Sequence, residues 1–275
     1  MIVKMFLINT FIDGSFSGGQ ALVAVLRQPG QTSLLKALAS ELKAPVTAYV
    51  LPYPEGFAVR YFSLTGEMDS GGYAALAVAK ALYSAGLAPP DQPLRLEGLK
   101  GPALVRPASE PAGELSLILP AVPAQSPPAW APKLPAGLNQ TTIQALMAVG
   151  AHRLVCLAGP PTEGLPAAAA ALTTPETRLV VSWPLGKDGY GLRCFGSAGE
   201  AAELPVTLDF HSVLGRFWGL RLNRNRLDIH HLSLRPARLL VELTAEETAL
   251  TGQTQIVYKA VPTLKELDKA PGGPA

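Results

Sequence analysis

One run constrains this chain more than any other: Glu67-Met68-Asp69-Ser70-Gly71-Gly72-Tyr73-Ala74-Ala75-Leu76-Ala77-Val78-Ala79-Lys80-Ala81-Leu82. A polar turn passes through Gly71-Gly72 into a helix that is Ala, Leu and Val on nearly every side. A helix apolar all round is a buried one, so the rest of the chain has to wrap around it. An aromatic-rich strand, residues 57–63, leads in. Gly71 and Gly72 leave no side chain over the first backbone N–H groups, which have no partners inside the helix. Such a start can hold an anion through those N–H groups and the helix dipole. It can equally be a glycine turn into a core helix.

At 275 residues the chain has room for one large domain or two ordinary ones. With 48% hydrophobic and 16% charged residues it can bury a sizeable core. A formal charge of +2 gives no basic excess for nucleic acid, and no like-charge tail is present. Cys156 and Cys194 stand far apart, with no CxxC and no metal-ligand spacing. Two buried free thiols in a reducing compartment are expected, with no metal and no cofactor. Residues 1–8 are too short for a signal-peptide core, and no apolar run reaches membrane-spanning length. The expectation is a soluble, cytoplasmic protein without a membrane partner.

In order along the chain, residues 5–8 and 21–26 read as strands joined by a polar, glycine-rich turn. Residues 31–42 read as an amphipathic helix on the spacing of Leu34, Leu35, Leu38 and Leu42, with Thr32 or Ser33 as its cap. Residues 44–51 read as a strand, and 94–97, 103–106 and 114–119 as half-buried antiparallel strands. The Pro- and Ala-dense stretch 120–135 reads as a linker or hugging loop. Beyond it, 141–148 and 165–172 read as helices, and 153–158, 177–183 and 190–196 as strands. A second central helix is expected over 212–220. Strands follow at 227–232, 237–243, 248–252 and 255–261, and the tail after Leu267 reads as disordered.

The run from Phe62 to Ala77 resembles the phenazine-biosynthesis isomerase family (PhzF-like), which reads F-T-P-x-x-E-x-x-x-C-G-H-A-T-L-A there. Phe62, Glu67, Gly72, Ala74, Leu76 and Ala77 agree, while the Cys position is Gly71 and the His position Tyr73. In the first hairpin Phe11, Phe16, Gly18 and Ala21 to Val23 follow the family, with Gly19-Gln20 for its N-P pair. At the family's S-E-T-A-F, Thr47 and Ala48 fix the register and Val46 takes the Glu position. At its E-D-P-x-T-G-S-A-H, Glu203, Pro205, Val206, Thr207 and His211 match. Leu204, Leu208 and Asp209 replace its Asp, Gly and Ser.

The resemblance implies an α+β, diaminopimelate-epimerase-like fold of two pseudo-symmetric lobes. Each lobe would be a mostly antiparallel sheet or barrel around one central apolar helix, the two helix starts facing an inter-lobe cleft. The N-terminal lobe would span 1–120, completed by the strand 255–262. The C-terminal lobe would span 121–254, with a tail at 263–275. The resemblance also implies a homodimer and a small carboxylate metabolite as ligand.

In the family a glutamate at the Val46 position shuttles the proton, supported by an Asp and a His at the Leu204 and Tyr73 positions. General acid–base chemistry needs a group that gives and takes protons within hydrogen-bond reach, and valine and leucine do neither. The expectation is therefore a small-carboxylate protein of the isomerase class whose Glu-based proton shift is lost. The alternative is a catalytically inactive relative serving as a binding or assembly partner.

Candidate catalytic residues for a rebuilt site are Tyr73, His211 and Asp209. Candidate substrate-binding residues are Ser70, Gly71, Gly72, Val46 and Leu208. Against these stand plainer roles: Tyr73 as an aromatic lid, His211 as a core histidine, and Asp209 as the cap of its own helix. Glu67 and Asp69 are loop carboxylates or complements to the helix dipole. His230 and His231 point to opposite faces of a strand and make a poor metal pair.

Overall fold

The structure, a computed structural model, describes residues 2–111, 113–122, 143–161, 173–174, 177–196, 203–204, 208–233 and 235–262. The expected linker over 120–135 lies almost wholly outside these residues. So do the expected helix at 165–172, Pro205, Val206, Thr207 and the tail from 263. The described chain is an α+β fold, mostly sheet, with three helices among the described residues. It divides into two compact units, Met1–Ile12 with Gly19–Ile118 and Gly252–Ala275, and Asp13–Gly18 with Leu119–Thr251.

The first unit holds β1 (Ile2–Thr10), β2 (Gly19–Leu26), α1 (Thr32–Leu42), β3 (Val46–Tyr53), β4 (Gly56–Phe62) and β5 (Glu67–Met68). It continues with α2 (Ala74–Ser84), β6 (Leu94–Gly98), β7 (Gly101–Pro107), β8 (Leu115–Pro120) and β16 (Thr254–Ala260). Strands run in the order β16-β1-β2-β3-β4-β6-β7-β8, with β5 beside β4. The pairs β2–β3 and β4–β6 are parallel, as expected where α1 and α2 supply the crossovers. In α2, residues 74–79, 81 and 82 are buried, and the helix packs on β1, β2, β3, β7 and β16. Its apolar circumference is what allows contact on so many sides. In α1, Leu35, Leu38 and Ala39 turn inward onto Ile2, Met5, Leu22, Tyr49 and Phe62. The Tyr49 hydroxyl meets its need inside this cluster by donating to Leu35 O at 2.9 Å. Neither Thr32 nor Ser33 caps α1. Gln31 stands at the cap position without a side-chain bond, and the Thr32 hydroxyl instead accepts from Arg60 Nη2 at 2.9 Å.

The second unit holds β9 (Ile143–Val149), β10 (His152–Leu157), β11 (Arg178–Pro184), β12 (Gly189–Phe195), α3 (His211–Leu222), β13 (Arg226–His231), β14 (Ala237–Leu243) and β15 (Glu247–Gly252). Strand order is β15-β14-β13-β12-β11-β10-β9. The helix expected at 141–148 is instead the strand β9. Gly150 takes φ 52°, and Val149 pairs with His152 across a two-residue turn. That turn lets 143–149 pair antiparallel with β10, and the ladder overrides the helix preference of Gln, Ala, Leu and Met. One sheet face packs Val155, Leu157, Leu179, Val181, Trp183 and Phe195 together. Helix α3 packs on β12, β13 and β14. Cys156 and Cys194 are buried and not joined in a disulfide, as expected.

Candidate functional site

The residues singled out from sequence fall into two groups, one in each unit. In the first unit Gly71 is buried, Gly72 adopts φ 49° and Ser70 is exposed, all immediately before α2. The helix start closes on itself. The N–H groups of Ala74, Ala75 and Leu76 donate to Gly71 O, Gly72 O and Tyr73 O at 2.9, 3.2 and 3.2 Å. These i→i−3 bonds tighten the first turn and use N–H groups that an anion would otherwise take. A Cβ on Gly71 would stand 2.2 Å from Tyr61 Cε1, so the Tyr61 ring already fills that space. The Tyr61 hydroxyl is buried without a hydrogen-bond partner, and burial pushes its pKa well above the ordinary value.

Tyr73 is 8% exposed, and its hydroxyl donates to Gln20 O at 3.2 Å. Gln20 in turn donates through Nε2 to Asn9 Oδ1 at 3.3 Å. Val46 lies opposite Ala21, the neighbour of Gln20, and is 5% exposed. Val46 and Tyr73 therefore approach the same end of β2. Neither Glu67 nor Asp69 is a free carboxylate. Glu67 forms a two-pronged pair with Arg60, both contacts at 2.7 Å, and this bonding holds its carboxyl below the usual range. Asp69 pairs with Lys100.

In the second unit Leu208 is buried, Asp209 exposed and Phe210 buried. Asp209 does not cap α3. The helix begins at His211, which puts Phe210 at the cap position with no side-chain bond. His211 has no exposed surface, and its Nδ1 lies 2.8 Å from the Tyr190 hydroxyl. Tyr190 is itself fully buried and stacks on Trp218 with centroids 6.1 Å apart. Burial, with Cys156 nearby, raises its pKa well above the ordinary value, so the phenol stays protonated. Glu203 is ion-paired with Arg193, and Leu204 N–H donates to Cys194 O at 2.8 Å, pinning this stretch to β12.

His152 was not visible as a site residue from sequence. Its ring meets Phe210 edge-on at 5.3 Å, and Phe210 lies 4.6 Å from His211. Burial lowers its pKa, the Asp209 carboxylate pulls it up, Arg178 lowers it, and a hydrogen bond with the Val149 backbone raises it. The net shift is downward. No local signal marks His152 or Tyr190; only the strand order brings them to the start of α3. Among the described residues no group of three or more His, Cys, Asp or Glu could hold a metal ion, and no helix is long and apolar enough to cross a membrane. His230 is half-buried and His231 fully buried, in keeping with opposite faces.

The family profile described as phenazine biosynthesis-like protein (PhzC-PhzF) matches residues 8–265. The chain belongs to this family. An uncharacterized isomerase of Halalkalibacterium halodurans is 27% identical over 267 residues, covering 94% of this chain and 98% of the relative. An uncharacterized isomerase of Pseudomonas aeruginosa is 25% identical over 266 residues, covering 93% and 97%. The crystal structure of a PhzF-family phenazine biosynthesis protein from Enterococcus faecalis superposes with a TM-score of 0.81 at 23% identity. That match covers 96% of this chain and all of the other, and it establishes a shared PhzF fold.

Proposed function

We propose that this PhzF-family protein is an isomerase-class protein that takes a small carboxylate metabolite, and that the family's glutamate-based proton shift has been lost from it. Val46 carries the reading. At the position where the family resemblance puts the proton-shuttling glutamate stands an apolar side chain, 5% exposed and paired with Ala21. Tyr73, at the histidine position, commits its proton to Gln20 O. Leu204, at the aspartate position, has no ionisable group. Carboxylate binding is supported only by the positive dipole end at the glycine-opened start of α2, since the N–H groups of Ala74, Ala75 and Leu76 are already taken by the first turn. The acid–base candidates left to the chain are Tyr73, His211 and Asp209, with His152 beside Phe210.

A second reading, an inactive binding or assembly partner, is supported by Tyr61 packed against Gly71 and by the self-bonded first turn of α2. A homodimer is the expected state in either case.

Two measurements separate the parts. A melting-temperature scan against small carboxylates, cyclic and aromatic amino acids included, should give a saturable rise for at least one compound, because a ligand of the folded state stabilises it by mass action. No rise across the panel removes the carboxylate proposal. The compound that binds is then incubated in D2O. The native protein should leave its carbon-bound hydrogens unexchanged, and the triple variant Val46→Glu, Tyr73→His, Leu204→Asp should exchange one. Exchange by the native protein would overturn the loss of the proton shift.

A further inference from the structure

The second half of α3, the turn after it and the first residue of β13 carry Arg216, Arg221, Arg224 and Arg226. They are not equivalent. Arg226 approaches Glu242 at 3.8 Å. Arg221 stacks over the Phe217 ring at 4.5 Å and reaches Gln144 O at 3.5 Å. Arg216 and Arg224 instead line an open cavity of about 580 Å³, with Asn223, Asn225, Leu220 and Leu243 among its other walls.

The cavity is built by backbone bonds. Gly219 O accepts the N–H groups of both Asn223 and Arg224, the latter at 2.9 Å. Leu243 N–H donates to Asn225 O at 2.8 Å, which ties the turn to β14. A Cβ on Gly219 would lie 2.8 Å from both Arg224 O and Leu243 Cδ1, so the walls approach this closely only over glycine. The doubly accepting Gly219 carbonyl also blunts the negative pole of the helix, which would otherwise oppose an anion there.

Arg216 Nη2 donates to Thr244 O at 2.7 Å, which fixes the guanidinium, while its Nε is buried with no hydrogen-bond partner. Arg224 is held from outside by Asp188, Nε to Oδ1 at 3.2 Å. No lining residue is acidic. Leu220, 86% exposed, supplies an apolar wall. Both guanidiniums border a lining with no acidic side chain, Arg224 sharing its charge with Asp188 outside it, so an anion here competes with Asp188 for Arg224; guanidinium forks suit phosphate and carboxylate oxygens alike.

We propose that this cavity binds a small organic dianion, a phosphate ester or a dicarboxylate, between Arg216 and Arg224, with its apolar part against Leu220 and Leu243. The lining runs along the second half of α3, from Arg216, about 8 Å along the axis from the buried His211, into the turn after the helix, and it includes neither His211 nor Asp209. It therefore stands or falls separately from the function proposed above.

The test is calorimetric titration of the whole protein with inorganic phosphate and, separately, with succinate. Wild type should bind at least one probe saturably. Arg216→Gln and Arg224→Gln should each weaken binding about tenfold, as for loss of a charge-assisted contact, with the melting temperature of Arg224→Gln unchanged. Arg221→Gln should bind as wild type. Tighter phosphate binding marks a phosphate ester, and tighter succinate binding a dicarboxylate. The proposal is overturned if neither probe binds saturably, or if Arg224→Gln binds as wild type. It is also overturned if Arg221→Gln weakens binding as much as Arg224→Gln, which would mean diffuse attraction to a basic surface.

Discussion

The Tyr61 ring occupies the place where a side chain on Gly71 would begin, its Cε1 2.2 Å from the Cβ that residue lacks. A separation that short cannot persist, and Tyr61 is 4% exposed with little room to give. Gly71→Cys, which writes the family's residue back into this chain, should therefore destabilise by about 1–3 kcal/mol through overpacking. In the background of Tyr61→Leu the same change should cost much less. Urea denaturation of the four proteins in this cycle measures the coupling; additive effects would mean that Tyr61 does not fill the space.

Tyr61 also carries a hydroxyl that is buried and unpartnered. Removing it with Tyr61→Phe deletes an unmet polar group while keeping the ring. The variant should be as stable as wild type or up to about 1 kcal/mol more stable. A clear loss in the denaturation midpoint would reveal a partner for the hydroxyl.

His231 is fully buried, and both ring nitrogens lack hydrogen-bond partners. Burial pushes its pKa down to about 4, below the ordinary 6.5. Below about pH 6.5 the unfolded chain binds a proton here that the folded chain refuses. The stability that neutral His231 allows is thus fully present above about pH 6.5 and is lost as pH falls toward 4, by roughly 3 kcal/mol. His231→Leu should flatten the stability–pH curve across that window. An unchanged slope in denaturation midpoints between pH 7 and 4 would assign the acid sensitivity elsewhere.

Val46→Glu alone places a carboxylate where the wild-type side chain is 5% exposed and faces Ala21. A charge there is poorly solvated and favours its neutral form. The single variant should be destabilised by about 2–4 kcal/mol at pH 8 and distinctly less at pH 5, where the introduced group takes up a proton. Equal destabilisation at the two pH values would mean that water reaches position 46.

The Tyr190 hydroxyl, 2.8 Å from His211 Nδ1, belongs to a fully buried pair. Tyr190→Phe keeps the stacking on Trp218 but takes away the partner of Nδ1, which should cost about 1–3 kcal/mol. The ring resonances of His211 should shift in the NMR spectrum at the same time. A variant with native stability and unmoved resonances would show that the pair is not a working hydrogen bond.

What the sequence determined by itself was local or alignable. The apolar circumference of residues 74–82 makes a buried helix wherever it packs, and α2 is one. The leucine spacing of 31–42 is short-range periodicity, and that helix formed, as did the second central helix expected over 212–220. The PhzF motif is a run of neighbours and needs no folding to read.

Tertiary structure decided whatever depends on partners distant in the chain. Residues 143–149 have helix-forming side chains, yet a turn at Gly150 and Ala151 offers them the edge of β10, and a full ladder outweighs a short helix. Thr32 and Asp209 are good capping residues, but Arg60 claims the hydroxyl of one and the start of α3 at His211 leaves the other a residue too early. The packing at each helix start is likewise long-range: Tyr61 against Gly71 in the first unit, and Tyr190 on His211 and His152 beside Phe210 in the second. Burial and hydrogen-bond geometry set the chemistry of those groups. Both come from strand order and register, which no spacing within a single segment encodes.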